Sequence, residues 1–190
     1  MAVSLKSLGQ SALDEIKAVV TALPDGIEEP LSDALLTSGR IALHGLGREG
    51  LMMRAFVMRL FHLGLDAHVV GDMTTPPLGN GDLLIVSCGP GALATHDALI
   101  ARARSAGATI AVVTAQPEGP TSRLADIVVF LSAQTMADDR RLARSSPSVL
   151  PMGSLFEMTQ LLFFELVVIK LRDRLGETME SMRARHTNLE

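Results

Sequence analysis

Short apolar segments alternate with helical segments through the middle of the chain, and this alternation constrains the fold more than any other feature. The apolar segments predict five strands, at residues 40–44, 67–71, 83–87, 109–114 and 127–131. The segments between them predict helices, at residues 51–63, 94–106 and 122–125. Strands that are apolar on both faces are typical of buried parallel sheets, and strand–helix alternation gives right-handed crossovers. The sequence therefore predicts an α/β fold: a three-layer α/β/α sandwich around a five-stranded parallel sheet, with flavodoxin-like or Rossmann-like topology.

Amphipathic helical patterns flank this core on both sides. We predict one domain over residues 1–190, with N-terminal helices at 4–38, the sheet core at 40–132 and C-terminal helices at 154–189. A largely polar loop at residues 132–151 separates the core from the last helices, and we expect the charges of Asp138–Arg141 to be solvated.

Composition excludes several classes of protein. Hydrophobic residues make up 47% of the chain and charged residues 20%, which is a globular balance. A net charge of -4 and the absence of Trp and Tyr argue against a nucleic-acid partner. The most apolar run, Leu161–Ile169, is too short for a membrane span, and the N-terminus lacks a signal-peptide pattern. With only one cysteine and thus no internal disulfide, we expect a cytoplasmic protein with no nucleic-acid or membrane partner.

Two glycine turns follow strands of the predicted sheet, at the carboxyl ends where open parallel sheets bind their ligands. Gly45–Gly50 has the pattern G-x-G-x-x-G, and Gly89–Gly91 reads Gly-Pro-Gly. Both turns lead into helix N-termini, where free N–H groups and the helix dipole favour an anion. A dinucleotide site is one hypothesis, since Asp72 follows the second strand at about the spacing of the ribose-binding acid.

Seven stretches of the chain together resemble the sugar isomerase (SIS) domain family, and most closely its 6-phospho-3-hexuloisomerase branch. They are GLGREG (45–50), AFVMRLFHLG (55–64), VVGDMTTPPL (69–78), NGDLLIVS (80–87), TSRLADIVV (121–129), PMGSLFE (151–157) and RHTNLE (185–190). The resemblance covers nearly the whole chain, and its last two stretches are the most specific. It implies a five-stranded parallel sheet, a homo-oligomer (dimer or tetramer), no cofactor, and an aldose–ketose or keto–keto shift of a sugar phosphate through an enediol.

The resemblance also implies two catalytic residues. Glu157 falls where the family has its proposed base, and His186 matches a histidine thought to reach the site of a neighbouring subunit. Each residue has a structural alternative. Ser154 and Glu157 have the S-x-x-E spacing of a capping box, and His186 lies near a chain end, where residues are usually solvated.

The expected substrate-binding residues surround the two glycine turns; they are Gly47, Arg48, Glu49, Thr75, Ser87, Cys88, Gly89 and Gly91. The chain departs from the family here. Its first loop usually reads GxGRSG and its second SGSGET, whereas this chain has Glu49 at the serine and Cys-Gly-Pro-Gly-Ala-Leu in the second loop. Each hydrogen bond lost from a charged phosphate removes about 1.5–3 kcal/mol, and Glu49 adds repulsion.

Three explanations of this departure stay open at the level of sequence. In the first, the protein is an isomerase of a different substrate, which lacks phosphate at that end. In the second, it is a non-catalytic carbohydrate-binding or regulatory protein. In the third, phosphate binds in another pose through Arg48 and Arg59. The sequence names neither the substrate nor the role of Glu49.

Two further predictions concern a metal and assembly. Two histidines and a carboxylate are a recognised metal set, and His44, Glu49 and His96 form a minor hypothesis of this kind; our principal prediction contains no metal. Cys88 lacks an evident paired base, which favours a small buried residue. We predict oligomerisation from the apolar residues of the penultimate helix and the turn before it, which are Met152, Leu155, Met158, Leu161 and Leu162.

Overall fold

Five parallel strands form one sheet in the computed structural model, which describes residues 3–138 and 148–189. The strands are β1 (Ile41–His44), β2 (Ala67–Val69), β3 (Leu83–Ser87), β4 (Thr109–Thr114) and β5 (Ile127–Phe130). Their order in the sheet is β2-β1-β3-β4-β5. The connection that follows β1 therefore leads to one edge of the sheet, and the connection that follows β3 leads toward the other edge. Ligands of such sheets bind outside the carboxyl ends of the strands at this switch point. The predicted parallel five-stranded sheet is confirmed.

Helices cover both faces of the sheet, as predicted. Those of the described residues are α1 (Leu5–Thr21), α2 (Glu29–Thr37), α3 (Gly47–His62), α4 (Ala94–Ser105), α5 (Ser154–Leu175) and α6 (Met179–Ala184), with a 3-10 turn at Ser122–Leu124. Alternate strand residues point to opposite faces. Leu43 and Ile85 belong to a core that includes residues of α2, α3 and α5, whereas Ala42 and Val86 belong to a second core with residues of α4. None of these helices is both long and apolar enough to cross a membrane.

The first glycine turn is itself helical, and this differs from the prediction. α3 begins at Gly47 rather than at Leu51. Gly47 has a φ of 55°, in the left-handed region that glycine adopts without strain. A Cβ on Gly50 would lie 2.5 Å from the carbonyl oxygen of Gly45, so the two segments approach each other only because they are glycines. Residues 48 and 49 therefore lie in the first turn of α3, and their side chains have fixed positions at the edge of the sheet.

Helices α3 and α5 pack side by side in the same direction. The rings of Phe56 and Phe164 stack with centroids 4.2 Å apart and an interplanar angle of 3°. Toward the end of α3, Arg59 Nε lies 3.2 Å from Glu165 Oε1. The starts of both helices therefore lie at the same edge of the sheet, beyond the carboxyl ends of the strands.

The polar loop before α5 is described only in part. Residues 139–147, which include most of the charged run predicted to be solvated, lie outside the described residues. Asp138 differs from that prediction, because its carboxylate is used within the fold. It accepts hydrogen bonds from the Thr135 amide and hydroxyl, each at 2.9 Å, and from the Gln116 side chain at 3.3 Å. This carboxylate therefore fixes the turn at Thr135.

Candidate active site

A cleft of about 510 Å³ opens at the carboxyl edge of the sheet, between the first turns of α3 and α5 and the turn after β3. Its apolar walls are formed by Leu46, Pro90, Leu93, Met136, Met152 and Phe156. Its polar side chains include Arg48, Glu49, Ser154 and Glu157. Clefts with apolar walls and a few convergent polar groups are typical of small-molecule sites. The cleft is therefore the candidate active site.

Glu157 lies in the first turn of α5 and is 8% exposed. Burial raises the pKa of its carboxyl group, and the nearby positive charge of Arg48 opposes that shift. The Nε of Arg48 lies 3.2 Å from Glu157 Oε2. A carboxylate with a raised pKa is a stronger base than a solvated one, so this group suits proton abstraction.

The capping box suggested by the sequence does not form. The cap of α5 is Gly153, with no side-chain hydrogen bond to the helix N-terminus. Met152 and Gly153 both have positive φ, 54° and 81°, and this turn aims the start of α5 into the cleft. The hydroxyl of Ser154 instead accepts a hydrogen bond of 2.7 Å from Arg48. The carboxylate of Glu157 is therefore not used to cap its own helix.

Glu49 fills the space between the two glycine turns. Its Oε2 accepts a hydrogen bond of 2.5 Å from the Ser87 hydroxyl and one of 3.0 Å from the Gly89 amide. Burial raises the pKa of the Glu49 carboxyl, these two hydrogen bonds lower it, and the charge of Glu157 raises it further. The predicted binding residues Ser87 and Gly89, at the end of β3 and in the second turn, therefore donate to a side chain of the protein itself and do not line the cleft.

The other predicted binding residues differ in position. Gly47 lines the cleft. Gly91 has a φ of 80° and packs against Gln116. Cys88 is fully buried in the core beneath α4, and burial raises the pKa of its thiol to about 11, which favours a structural role. The hydroxyl of Thr75 donates to the carbonyl groups of residues 69 and 72, at 2.5 and 2.8 Å, and so stabilises the turn after β2.

Asp72, the acid of the dinucleotide hypothesis, pairs with Arg54 on the surface at 2.9 Å. Its carboxylate is therefore already engaged by a side chain of α3. This arrangement gives the dinucleotide hypothesis no support.

His186 lies far from Glu157 of the same chain. Its ring is 5.3 Å from the ring of His62, at the last residue of α3. Arg48, beside Glu157, is at the opposite end of α3, about 20 Å away at 1.5 Å per residue. The role of His186 therefore stays a prediction that requires a second copy of the chain.

His44 and His96 contact each other, and neither lines the cleft. Their rings are 5.1 Å apart at an angle of 88°. Neither nitrogen of His96 nor the Nε2 of His44 has a hydrogen-bond partner within the described residues. Glu49 binds Ser87 and Gly89 instead of joining them, and within residues 3–138 and 148–189 no three His, Cys, Asp or Glu side chains are grouped for a metal. The three residues of the metal hypothesis are therefore not assembled.

The sequence does not indicate the hydrogen bond from Arg48 to Ser154 or most of the apolar wall of the cleft. The spacing of Ser154 indicates only a helix cap, and Met136, Met152 and Phe156 carry no sequence signal for a ligand site. Met136 and Met152 lie in loops, where hydrophobic periodicity gives no information. Of the three apolar residues, only Phe156 could have been inferred from the sequence, because it is adjacent to Glu157.

Comparisons with known proteins give the relationship of the chain. No protein-family model matches it. It is 38% identical over 162 residues to the 3-hexulose-6-phosphate isomerase of Bacillus subtilis, covering 85% of this chain and 86% of that protein. The enzyme of the same name from Methylomonas aminofaciens is 35% identical over 178 residues, covering 94% and 96%.

A solved structure agrees over the whole length. A protein from Methanococcus jannaschii, whose crystal structure was used to infer a 3-hexulose-6-phosphate isomerase function, superposes with a TM-score of 0.80 and 28% identity. The match covers 98% of both chains. The residues, the fold and these relatives agree: the chain belongs to the sugar isomerase (SIS) domain family, in the group of the 3-hexulose-6-phosphate isomerases.

Proposed function

We propose that the protein is a sugar or sugar-phosphate isomerase that moves a carbonyl group between neighbouring carbons through an enediol. The observation that carries this proposal is the buried carboxylate of Glu157, which lies beside Arg48 at the edge of the cleft. Relatives named 3-hexulose-6-phosphate isomerase support the reaction class. A ketohexose or its derivative is therefore the expected kind of substrate.

The chemistry needs one base and a way to stabilise negative charge. Glu157 removes the proton from the carbon beside the carbonyl, the C–H electrons form a carbon–carbon double bond, and the carbonyl oxygen becomes an enediolate oxygen. Protonated Glu157 then returns the proton to the former carbonyl carbon, while the hydroxyl proton on the adjacent carbon moves to the enediolate oxygen and leaves a carbonyl group on that carbon. Arg48 is about half exposed, and its positive charge lies where it can stabilise the enediolate. The apolar walls exclude water from the intermediate.

Proton exchange in heavy water tests this function directly. We expect the protein to introduce deuterium beside the carbonyl of at least one ketose in a panel with and without phosphate, fructose and fructose 6-phosphate included. NMR of the recovered sugar measures the uptake. A protein that binds sugars in the panel without any exchange would instead be a non-catalytic carbohydrate-binding protein, which is the second candidate function.

We also propose a homo-oligomer whose neighbouring subunit supplies His186. The outer face of α5 supports assembly, because Met158, Leu162, Leu166 and Ile169 follow helical spacing and are each at least 39% exposed. Light scattering at micromolar concentration is expected to give a multiple of the chain mass. A monomer under those conditions would remove both the oligomer and the proposed role of His186.

A further inference from the structure

The space between the two glycine turns has the properties of an anion site. The turns lie at the N-termini of α3 and α4, next to the switch point of the sheet. The Ser87 hydroxyl and the Gly89 amide are donors at this place, and both bind Glu49 Oε2, at 2.5 and 3.0 Å. An oxyanion from a ligand would need the same donors. The anion that occupies this site is therefore the carboxylate of Glu49.

The second turn is shaped around this carboxylate. A Cβ on Gly89 would lie 2.8 Å from Glu49 Oε1 and 2.9 Å from the ring of Phe156. Glycine at this position therefore leaves the space that the carboxylate fills. A ligand phosphate entering the same place would meet both the volume and the negative charge of Glu49.

The second oxygen of Glu49 has a different role. Oε2 takes both hydrogen bonds, and Oε1 accepts none from the residues that the structure describes. Glu49 also lines the cleft that contains Glu157. A carboxylate oxygen is an acceptor only, so it can bind a ligand hydroxyl and repels a phosphate.

We propose that Glu49 determines the specificity of this cleft: its carboxylate occupies the anion position between the turns, so the sugar that binds here presents hydroxyl groups and no phosphate at that end. The sugar part of this proposal rests on the proposed function. The occupation of the anion position by Glu49 does not, and it can be tested with inorganic phosphate alone.

The test compares the wild-type protein with Glu49→Ser at mildly alkaline pH. Calorimetric titration with inorganic phosphate is expected to show weak or no binding to the wild type and binding roughly 100-fold tighter to Glu49→Ser, the effect of removing one like charge about 5 Å away at an effective dielectric near 20. Deuterium exchange with fructose and fructose 6-phosphate is expected to favour fructose in the wild type. In Glu49→Ser the preference is expected to move toward the phosphate ester.

Three further variants separate charge, volume and donors. Glu49→Gln removes the charge but keeps the volume, so it should gain less phosphate affinity than Glu49→Ser. Ser87→Ala in the Glu49→Ser background should reverse part of the gain, because it removes one donor. Glu165→Ser changes the net charge equally but lies outside the cleft, paired with Arg59, and should gain nothing. Circular dichroism checks the folding of each protein, and Glu49→Gln replaces Glu49→Ser if the latter does not fold.

The outcomes distinguish this inference from the proposed function. Equal phosphate affinity in the wild type, Glu49→Gln and Glu49→Ser would overturn the inference. So would wild-type exchange that requires fructose 6-phosphate and is unchanged in Glu49→Ser; in that result the isomerase function stands. A gain of phosphate affinity in Glu49→Ser without exchange on any sugar would support the role of Glu49 as the occupant and count against the proposed function.

Discussion

Glu157→Gln is expected to lower kcat by roughly 10²–10⁴-fold, the usual contribution of a positioned general base, with ligand affinity nearly unchanged. The amide has the size of the carboxyl group but cannot accept the proton from the substrate carbon. Glu157 lies in the first turn of α5 and contacts Arg48, and Gln has nearly the same volume, so we expect the substitution to leave the cleft in place. Steady-state kinetics on the sugar with the fastest deuterium exchange would measure the loss.

The pH dependence of the activity gives a second test of the role of Glu157. Glu157 acts as a base only when it is deprotonated, and burial raises its pKa above the usual value of 4.5. Wild-type activity is therefore expected to fall on the acid side at a higher pH than for a solvated carboxylate. Glu165→Gln is the matched control, since Glu165 lies two turns along α5 and pairs with Arg59. A loss in this control equal to that in Glu157→Gln, or full activity of Glu157→Gln, would contradict the assignment.

Acid is expected to destabilise the protein through His96 by up to about 3 kcal/mol. Burial, and next the neighbouring His44, lower the pKa of His96 from 6.5 to about 4. The neutral ring is therefore favoured in the folded state, whereas the unfolded chain takes up a proton near pH 6.5. The stabilisation that the neutral His96 ring contributes to the folded state is present above about pH 6.5 and is lost progressively as the pH falls to about 4.

Denaturant unfolding as a function of pH measures this effect as a difference between variants. Glu49 and Glu157 also titrate, with pKa values moved in the upward direction, so the wild-type slope alone does not isolate His96. His96→Leu is expected to remove most of the loss between pH 6.5 and 4. His68→Leu is the control, because this ring is 27% exposed and pairs with Asp66. The same acid loss in His96→Leu and in the wild type would refute the explanation.

Much of the sheet was predictable, because its central strands are apolar runs bounded by turn residues. β3 and β4 have the predicted limits, Leu83–Ser87 and Thr109–Thr114. The start of α3 was not predictable from the same signals. Glycines usually mark the end of a helix, whereas here Gly50 lies inside the first turn because it allows close contact with Gly45, and Gly47 lies there with a left-handed φ of 55°.

The sequence predicts where the candidate site lies in the chain, but it does not predict the directions of its side chains. Glycine turns at the carboxyl ends of two predicted strands indicated a binding region that includes Arg48 and Glu49, and both side chains line the cleft. Whether Glu49 faced a ligand, a metal or the second turn depended on the direction of its side chain, which no spacing determines. The contact between Glu49 and Ser87 joins the first turn of α3 to the end of β3, and only the folded sheet brings these together.

The stack of Phe56 on Phe164 has a consequence for how new substrate preferences can arise. It joins α3 to α5 through the core, and these helices carry Arg48 and Glu157 in their first turns. Because the core fixes both helices, the distance between these two side chains is expected to stay the same when surface segments change. Substitutions at Met136 or Met152 can therefore reshape the wall of the cleft while Glu157 and Arg48 keep their spacing. A protein engineer can thus change which ligand is bound without moving the proposed base.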